Sequence, residues 1–174
     1  MRIGRAGTLG VLLIVGLVTV GAKGAPEVAT PGAGAQEAEV AGVVVDPTSR
    51  QPMVVLQGKR DKRSLVMAIG PFEATGIALP LQGVTPSRPL THDLIMTLLG
   101  DLKATLQRIV ITDLRDDVYY ALLFLDVNGT MRLVDSRPSD AIALALRAKV
   151  PILVEDRVFY KAERPAPQGP SRHF

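Results

Sequence analysis

The dipeptide Asn128-Gly129 lies between two runs of apolar and β-branched residues, and it restricts the fold of this chain more than any other short segment. Asn-Gly readily adopts the positive φ angles of a two-residue hairpin turn. Residues 118–127 and 130–134 are therefore predicted to pair as antiparallel strands. A turn at Arg115-Asp116-Asp117 adds residues 106–114 to the same sheet. The middle of the chain is thus predicted to be a long hairpin followed by a third strand.

Three helices and four further strands are predicted around this hairpin. The helices start at Pro71, Thr91 and Pro138 and end near Gln82, Leu102 and Lys149, and the strands cover residues 40–45, 53–57, 64–69 and 152–154. Proline at the first helical position and glycine after the last is the expected asymmetry. In the second helix, apolar spacing predicts one buried stripe, formed by Leu94, Ile95, Leu98, Leu99 and Leu102. The fold class is α+β, a compact single domain with a mixed or antiparallel sheet and three helices.

Two segments of the chain resemble each other at an offset of 67 residues. Ser64–Leu79 aligns with Met131–Leu146, so that Pro71 falls on Pro138 and Glu73 on Asp140. Each segment contains a strand, a tight turn and a helix start. The alignment indicates a duplicated hairpin-plus-helix unit; chance matches between Ala- and Leu-rich stretches are the alternative.

The ends of the chain differ in composition from its middle. Residues 1–24 have a basic start and an apolar run, typical of a signal peptide or an N-terminal membrane anchor. Residues 25–39 are predicted to be a disordered linker and residues 161–174 a disordered tail, because neither contains much to bury. The domain is predicted to span residues 40–160. Its expected location is exported, periplasmic or extracellular, or tethered to the membrane by an uncleaved N-terminal segment.

Charge and cysteine content exclude several classes of function. The formal charge of +3 comes from the first 24 residues, which hold three basic residues and no acid, so the remainder is balanced. A neutral domain has no global field that attracts nucleic acid. The absence of cysteine excludes disulfides, thiolate catalysis and Cys-ligated metals. Glycine-rich phosphate loops and HExxH or GxSxG motifs are absent as well.

Polar side chains concentrate at the three predicted helix starts. They are Glu73 at the first, Arg88, Thr91, His92 and Asp93 at the second, and Asp135, Arg137, Ser139 and Asp140 at the third. A helix N-terminus offers free N–H groups and a partial positive charge that suit a phosphate. Arginine adds forked donors for phosphate oxygens. Helix capping alone would also select Glu73, Thr91 and Ser139, and an Asp135–Arg137 pair could simply lock a turn.

His92 is the only histidine between residues 40 and 160. Imidazole can act as a general base or a metal ligand, although a single histidine at a helix start is more often a surface or capping residue. Three aspartates, Asp93, Asp135 and Asp140, could supply oxygens to one hard cation. Consecutive helix residues point about 100° apart, so His92 and Asp93 cannot both face one ion without a non-helical turn. The few aromatic residues argue against a stacking platform for single strands, and the charged turn 59–63 is more typical of a solvated surface.

Several segments that contain these polar residues resemble the bifunctional nuclease domain family, formerly a domain of unknown function. The resemblance is carried by Arg88–Leu94, Asp135–Arg147, Glu73-Ala74 and Ile111-Thr112-Asp113, and it covers about Val54 to Val158. It implies a compact α+β fold and the DNase and RNase activity attributed to plant members. The chain departs from the family in its N-terminal segment and in Pro80, which should kink or end the first helix.

The leading hypothesis is a nuclease that hydrolyses phosphodiester bonds of DNA and/or RNA with the help of Mg²⁺ or Mn²⁺. In this reading His92, Glu73, Asp135 and Arg137 are catalytic, and Arg88, Thr91 and Ser139 bind the substrate. Asp93, Asp135 and Asp140 hold the metal. The alternative is a non-catalytic domain that binds an anion or a protein at the same helix starts. The expected partners are a nucleic acid substrate, a membrane only through an uncleaved N-terminal segment, and a second copy in a homodimer.

Overall fold

The computed structural model describes residues 34–164, so the predicted targeting segment and most of the predicted linker and tail lie outside the described residues. Seven strands and four helices follow one another along the chain. They are β1 (Ala35–Val45), β2 (Pro52–Gly58), β3 (Ser64–Ala68), α1 (Pro71–Leu81), α2 (Thr91–Asp101), β4 (Ala104–Arg115), β5 (Val118–Val127), β6 (Thr130–Ser136), α3 (Pro138–Ala148), β7 (Ile152–Glu155) and α4 (Asp156–Glu163). The α+β single domain with a mixed sheet is confirmed.

Both predicted tight turns are two-residue hairpins. Asn128 and Gly129 have φ angles of 53° and 79°, and Val127 pairs with Thr130 on either side of them. Asp116 and Asp117 have φ angles of 48° and 61° between the paired residues Arg115 and Val118. Positive φ at both central positions matches the twist of the flanking strands. The turn residues therefore fix the register of β4, β5 and β6.

The sheet has the order β3-β2-β1-β7-β4-β5-β6, and among these pairs only β4 and β7 are parallel. Its two halves repeat one order of elements. β1, β2 and β3 form a meander that ends at one edge of the sheet and continues into α1. β4, β5 and β6 form a second meander that ends at the other edge and continues into α3. The offset of 67 residues in the sequence thus corresponds to a repeated topology.

The sheet is strongly curved around one core. Met67 and Ala68 of the edge strand β3 line the same cavity as residues 117–119 of the β4–β5 hairpin, although three strands separate β3 from β4. The core consists of aliphatic side chains from one face of the strands, the inner side of α3, and Val158 and Phe159 of α4. Helix α1 contacts β1 and β2, and α3 contacts β4 and β5. The two helices, which follow the two edge strands, also contact each other and lie side by side.

The predicted domain limits are too narrow at both ends. Strand β1 begins at Ala35, and Gln36 and Ala38 are buried against β2 and β7, so residues 35–39 belong to the domain and not to a linker. Pairing with the neighbouring strands outweighs the low strand propensity of these residues. Helix α4 was missed, and it extends the packed chain to Glu163 because Val158 and Phe159 anchor it. Within residues 34–164, no helix is long and apolar enough to cross a membrane.

The predicted buried stripe of α2 is only half buried. Leu94, Leu98 and Leu102 are 53%, 49% and 69% exposed, whereas Ile95 and Leu99 pack against the core. α2 contacts α3 and β4 and leaves its other side open. The periodicity identified the helix correctly but could not show how many neighbours would cover it.

Candidate active site at three helix starts

Helices α1 and α3 begin in the same way, directly after the strands that form the two edges of the sheet. Pro71 and Pro138 occupy their first positions, and the preceding residues, Gly70 and Arg137, have extended backbones and make no side-chain cap. Proline has no N–H to satisfy there and its φ is already helical. Because α1 and α3 lie side by side, their first turns bring Glu73 and Asp140 near one guanidinium group.

Arg137 bridges the two carboxylates in the first turns of α1 and α3. Its Nε donates to Asp140 Oδ2 at 2.7 Å and its Nη2 to Asp140 Oδ1 at 3.0 Å, while its Nη1 donates to Glu73 Oε1 at 2.9 Å. The fork of the guanidinium suits this double engagement. The Arg137 side chain is nevertheless 64% exposed, so part of it faces solvent.

His92 completes the group from the start of α2. Its Nε2 lies 3.1 Å from Asp140 Oδ1, and the residue is buried. The ring fits because Gly76 of α1 has no side chain: a Cβ at that position would lie 2.9 Å from His92 Nδ1 and Cε1. Glu73, His92, Arg137 and Asp140 are called the helix-start cluster below.

The ionisation of Asp140 and Arg137 follows from this pairing. Burial alone would raise the pKa of Asp140, but the hydrogen bonds from Arg137 and His92 outweigh burial and hold the pKa below its ordinary value. The same bond to Asp140 raises the pKa of Arg137, with Glu73 adding to the effect. Asp140 is therefore an anion at neutral pH and Arg137 a permanent cation.

A second arginine, Arg147, ties the three helices together behind the cluster. Pro80 has no N–H to donate to the carbonyl of Gly76, and Arg147 Nη1 donates to that oxygen instead at 2.7 Å. Arg147 Nε also donates to Asp93 Oδ1 at 2.6 Å, and Asp93 Oδ2 accepts from Leu90 N at 2.8 Å at the start of α2. The bond from Arg147 lowers the pKa of Asp93. Arg147 therefore fixes α2 relative to α1 and α3.

Two cavities border the helix-start cluster. The first has a volume of about 630 Å³, and its wall includes all four residues of the cluster together with Phe72 and Thr91. The second, of about 280 Å³, is lined by Glu73, Arg137 and Ser139 and by residues of β3 and the β4–β5 hairpin. The Glu73–Arg137 ion pair thus stands between them. Both volumes are in the range of small-ligand sites or just below it.

The structure joins four of the predicted site residues and separates the others. Glu73, His92, Arg137 and Asp140 form one hydrogen-bonded group. Asp135 does not join them: it pairs across the sheet with Leu122, on the face away from the cluster, because Ser136 on the cluster side pairs with the core residue Ala121. Its proposed double role as catalytic residue and metal ligand is therefore not supported by its position.

The predicted substrate-binding residues lie around the cluster. Thr91 and Ser139 each line one of the cavities, whereas exposed Arg88 makes no ion pair with any residue of the described part of the chain. Thr91 was expected to cap α2, but the capping position is Leu90, and Asp93 accepts the hydrogen bond there. Sequence reasoning gave no role to Gly76 or Arg147. Arg147 is the last residue of the phrase that carries the family resemblance, which was the only signal for it.

The three aspartates expected to hold a metal do not fit that function as arranged. Asp93 is taken up by Arg147, Asp140 by Arg137 and His92, and Asp135 lies on the other face of the sheet. Over residues 34–164, no three acidic or histidine side chains lie close enough together to hold an ion. A hard cation needs several free oxygens, which these paired carboxylates do not offer.

A family model and a named relative indicate the same protein family for this chain. The family model of the bifunctional nuclease domain matches residues 54–167. An uncharacterized protein of Mycobacterium tuberculosis is 44% identical over 126 residues, which are 72% of this chain and 75% of that protein. Bifunctional nuclease 1 of Oryza sativa subsp. japonica is 30% identical over 116 residues, which are 62% of this chain and 35% of the rice protein.

Proposed function

This chain belongs to the bifunctional nuclease domain family, and from that premise we propose that it is a nuclease that hydrolyses phosphodiester bonds of DNA and/or RNA at the helix-start cluster. One observation carries the proposal. Three separate helix starts bring an imidazole, a carboxylate bonded to it, an exposed guanidinium and a second carboxylate bonded to that guanidinium to the wall of one cavity. These are the groups that activate water and neutralise a phosphate.

Each residue has a role that follows from its contacts. Asp140 holds the His92 ring at the cavity wall through Nε2, and His92 takes the proton of the attacking water. Arg137 is exposed, and three of its five N–H groups bond to Asp140 and Glu73, so the two that remain, on Nη1 and Nη2, donate to the phosphate oxygens. Glu73 orients Arg137. Thr91 and Ser139 contact the remainder of the substrate from the cavity walls, and exposed Arg88, which precedes Pro89 of the same wall, binds a neighbouring phosphate from outside the cavity.

The proposed reaction contains no step through a metal ion. The paired carboxylates give no set of free oxygens, so the barrier is lowered by the imidazole and the guanidinium alone. Dependence on Mg²⁺ or Mn²⁺ is an independent part of the test. Cleavage abolished by EDTA and restored by either ion would show that the cluster rearranges to bind metal.

The experiment is a cleavage assay with the full chain on single- and double-stranded DNA and RNA. We expect Asp140→Asn to lower the rate about 100- to 10,000-fold, because it removes the negative charge that holds His92 and Arg137 and keeps the shape of the side chain. Asp101→Asn is the matched control: Asp101 is an exposed aspartate at the end of α2, away from both cavities. Equal rates for wild type and Asp140→Asn would contradict the proposed site.

A second function is favoured by the charge of the cluster. With neutral His92, two carboxylates face one guanidinium, so the group carries one net negative charge, which attracts cations more than phosphate. A non-catalytic domain that binds a protein or a small ion at this place is the alternative. Absence of cleavage in purified wild type, together with wild-type folding, would favour this function.

Location and assembly belong to the proposal as well. We expect the chain to be exported, or tethered through residues 1–24, on the strength of its basic and apolar start. Cell fractionation with an antibody against the domain tests this, and a cytoplasmic pool would contradict it. The exposed leucines of α2 favour a homodimer, and sedimentation equilibrium of the full chain measures it.

A further inference from the structure

A third cavity, of about 490 Å³, lies beside the two that border the helix-start cluster. Its walls include Tyr119, Tyr160, Asp116, Asp117, Lys161 and Arg164. It shares Ala68, Asp117 and Tyr119 with the cavity of about 280 Å³, which in turn shares Glu73 and Arg137 with the cavity at His92. The three cavities therefore lie in a row from the two tyrosines to the proposed reaction centre, with the Glu73–Arg137 ion pair between the last two.

The composition of this third cavity suits a heterocyclic base better than a phosphate. Two aromatic rings and the small residues Ala68 and Ala162 offer apolar contact, and base–aromatic stacking is a general source of nucleotide affinity. Two carboxylates and two cations line the same walls, so the cavity has no excess of positive charge for a polyanion. A ligand with flat apolar faces and both donors and acceptors on its edge meets all of these conditions.

The two carboxylates are held at the tip of the β4–β5 hairpin. Asp116 and Asp117 occupy the two turn positions with positive φ, and neither side chain is engaged by another described residue. Lys161, by contrast, is tied to Asp113, which itself accepts from Leu114 N. The hairpin therefore presents free acceptors to the cavity beside a fixed cation.

We propose that this third cavity binds an unpaired guanine next to the phosphate that is cleaved at the helix-start cluster, so that the preferred substrate is single-stranded. A carboxylate accepts from the N1–H and the 2-amino group of guanine together, and a lysine or arginine donates to O6 and N7. Adenine and cytosine offer only one amino donor at that edge, and uracil offers no amino group. The edge read here is the one used in base pairing, so a duplex hides it. The inference rests on the proposed function.

Binding and cleavage are measured separately. The first measurement is equilibrium dialysis of guanosine, adenosine, cytidine and uridine 5′-monophosphates with the full chain carrying His92→Ala. The second is cleavage by wild type of single-stranded oligonucleotides that contain one guanine or none. We expect guanosine monophosphate to bind at least tenfold more tightly than the others, and cleavage to occur beside the guanine.

Tyr160→Leu and Tyr119→Leu keep apolar bulk and remove the ring, and we expect each to weaken guanosine monophosphate binding about 5- to 100-fold. Tyr160→Phe should retain binding. Tyr120→Leu is the matched control, since Tyr120 neighbours Tyr119 but does not line the cavity and lies under Arg115 instead. Asp117→Asn, which suits positive φ, should reduce the preference for guanine about tenfold. Thermal melting verifies that each variant folds.

The outcomes separate this inference from the proposed function. Cleavage without base preference, or equal weakening by Tyr120→Leu, overturns the guanine cavity and leaves the nuclease standing. Selective guanosine monophosphate binding without cleavage upholds the cavity as a base-binding site and overturns the nuclease. Neither binding nor cleavage overturns both.

Discussion

Two clusters of this domain use arginine–carboxylate pairs in opposite ways. The helix-start cluster surrounds Arg137. The turn cluster consists of Arg60, Asp61, Arg63 and Asp156, and it joins the β2–β3 turn to the start of α4. Arg63 donates from Nε to Asp61 Oδ2 at 2.8 Å and from Nη2 to Asp156 Oδ1 at 3.1 Å. In both clusters one guanidinium bridges two carboxylates.

The differences lie in exposure, charge and neighbours. The Arg63 side chain is 20% exposed, and its guanidinium lies over the rings of Phe159 and Tyr160. The Arg137 side chain is 64% exposed and lies between two cavities. The turn cluster pairs two arginines with two aspartates and contains no histidine. The helix-start cluster has an unequal charge and an imidazole. The same ion pair therefore stabilises the fold where it is covered and remains available for chemistry where it is open.

The largest effect expected from the difference between the two clusters is on the rate of cleavage. Arg137→Leu removes the donors proposed to neutralise the phosphate, and we expect the rate of cleavage to fall about 100- to 1,000-fold. The free energy of unfolding should change by under about 1 kcal/mol, because exposed ion pairs contribute little. Steady-state cleavage and urea unfolding measure the two quantities. An unchanged rate would place Arg137 among structural residues such as Arg63.

A test at Gly76 examines whether His92 depends on close packing. Gly76→Ala places a methyl group 2.9 Å from the imidazole ring, and we expect it to lower the free energy of unfolding by about 1–3 kcal/mol and to displace His92. Gly100→Ala is the matched control, because nothing lies within 4 Å of that position in α2, and alanine should stabilise the helix by up to about 1 kcal/mol. Equal effects of both substitutions would show that the ring has room to move.

The turn cluster is expected to respond to substitution in the reverse way. Arg63→Leu leaves Asp61 and Asp156 without their shared partner and removes the contacts with two aromatic rings. We expect the free energy of unfolding to fall by about 1–3 kcal/mol, while the folded protein cleaves an oligonucleotide without guanine at the wild-type rate. Urea unfolding and the cleavage assay test this together. A loss of activity larger than the loss of folded protein would contradict the division between the clusters.

The smallest expected effect is a change in acid sensitivity. Hydrogen bonding to Arg63 lowers the pKa of Asp61 from 3.8 to about 2. A pKa lower in the folded than in the unfolded chain gives stability that is present above about pH 4 and is lost as the pH falls towards 2. Asp61→Asn should therefore make the free energy of unfolding fall less steeply between pH 4 and pH 2 in urea titrations. An equal slope would show that Asp61 is not linked to folding.

Much of the fold could be predicted because local rules decide it. The Asn128-Gly129 hairpin, the turn at Asp116-Asp117 and the helices opened by Pro71 and Pro138 all lie where the sequence indicated. These features depend on the φ preferences of single residues. The elements that the sequence did not predict depend on long-range contacts instead. Residues 35–39 became a strand through pairing with β2 and β7, and α4 owes its position to Val158 and Phe159 in the core.

The candidate site shows the same division. Its residues lay at helix starts that the sequence identified, and Glu73, His92, Arg137 and Asp140 do meet. Asp135 did not join them because strand alternation turned it to the other face, and Asp93 was taken up by Arg147. The sequence could not show either result, since each depends on which element packs beside which.

By itself, the sequence determined the turns, the helix starts and the family, because these follow from backbone preferences and residue patterns over short distances. Only the tertiary structure decided that one guanidinium would be shared by carboxylates 67 residues apart in the chain, and that the tyrosine-lined cavity would lie beside a cavity that this guanidinium lines. The reason is the curvature of the sheet, which brings its two edges and the helices that follow them to the same place.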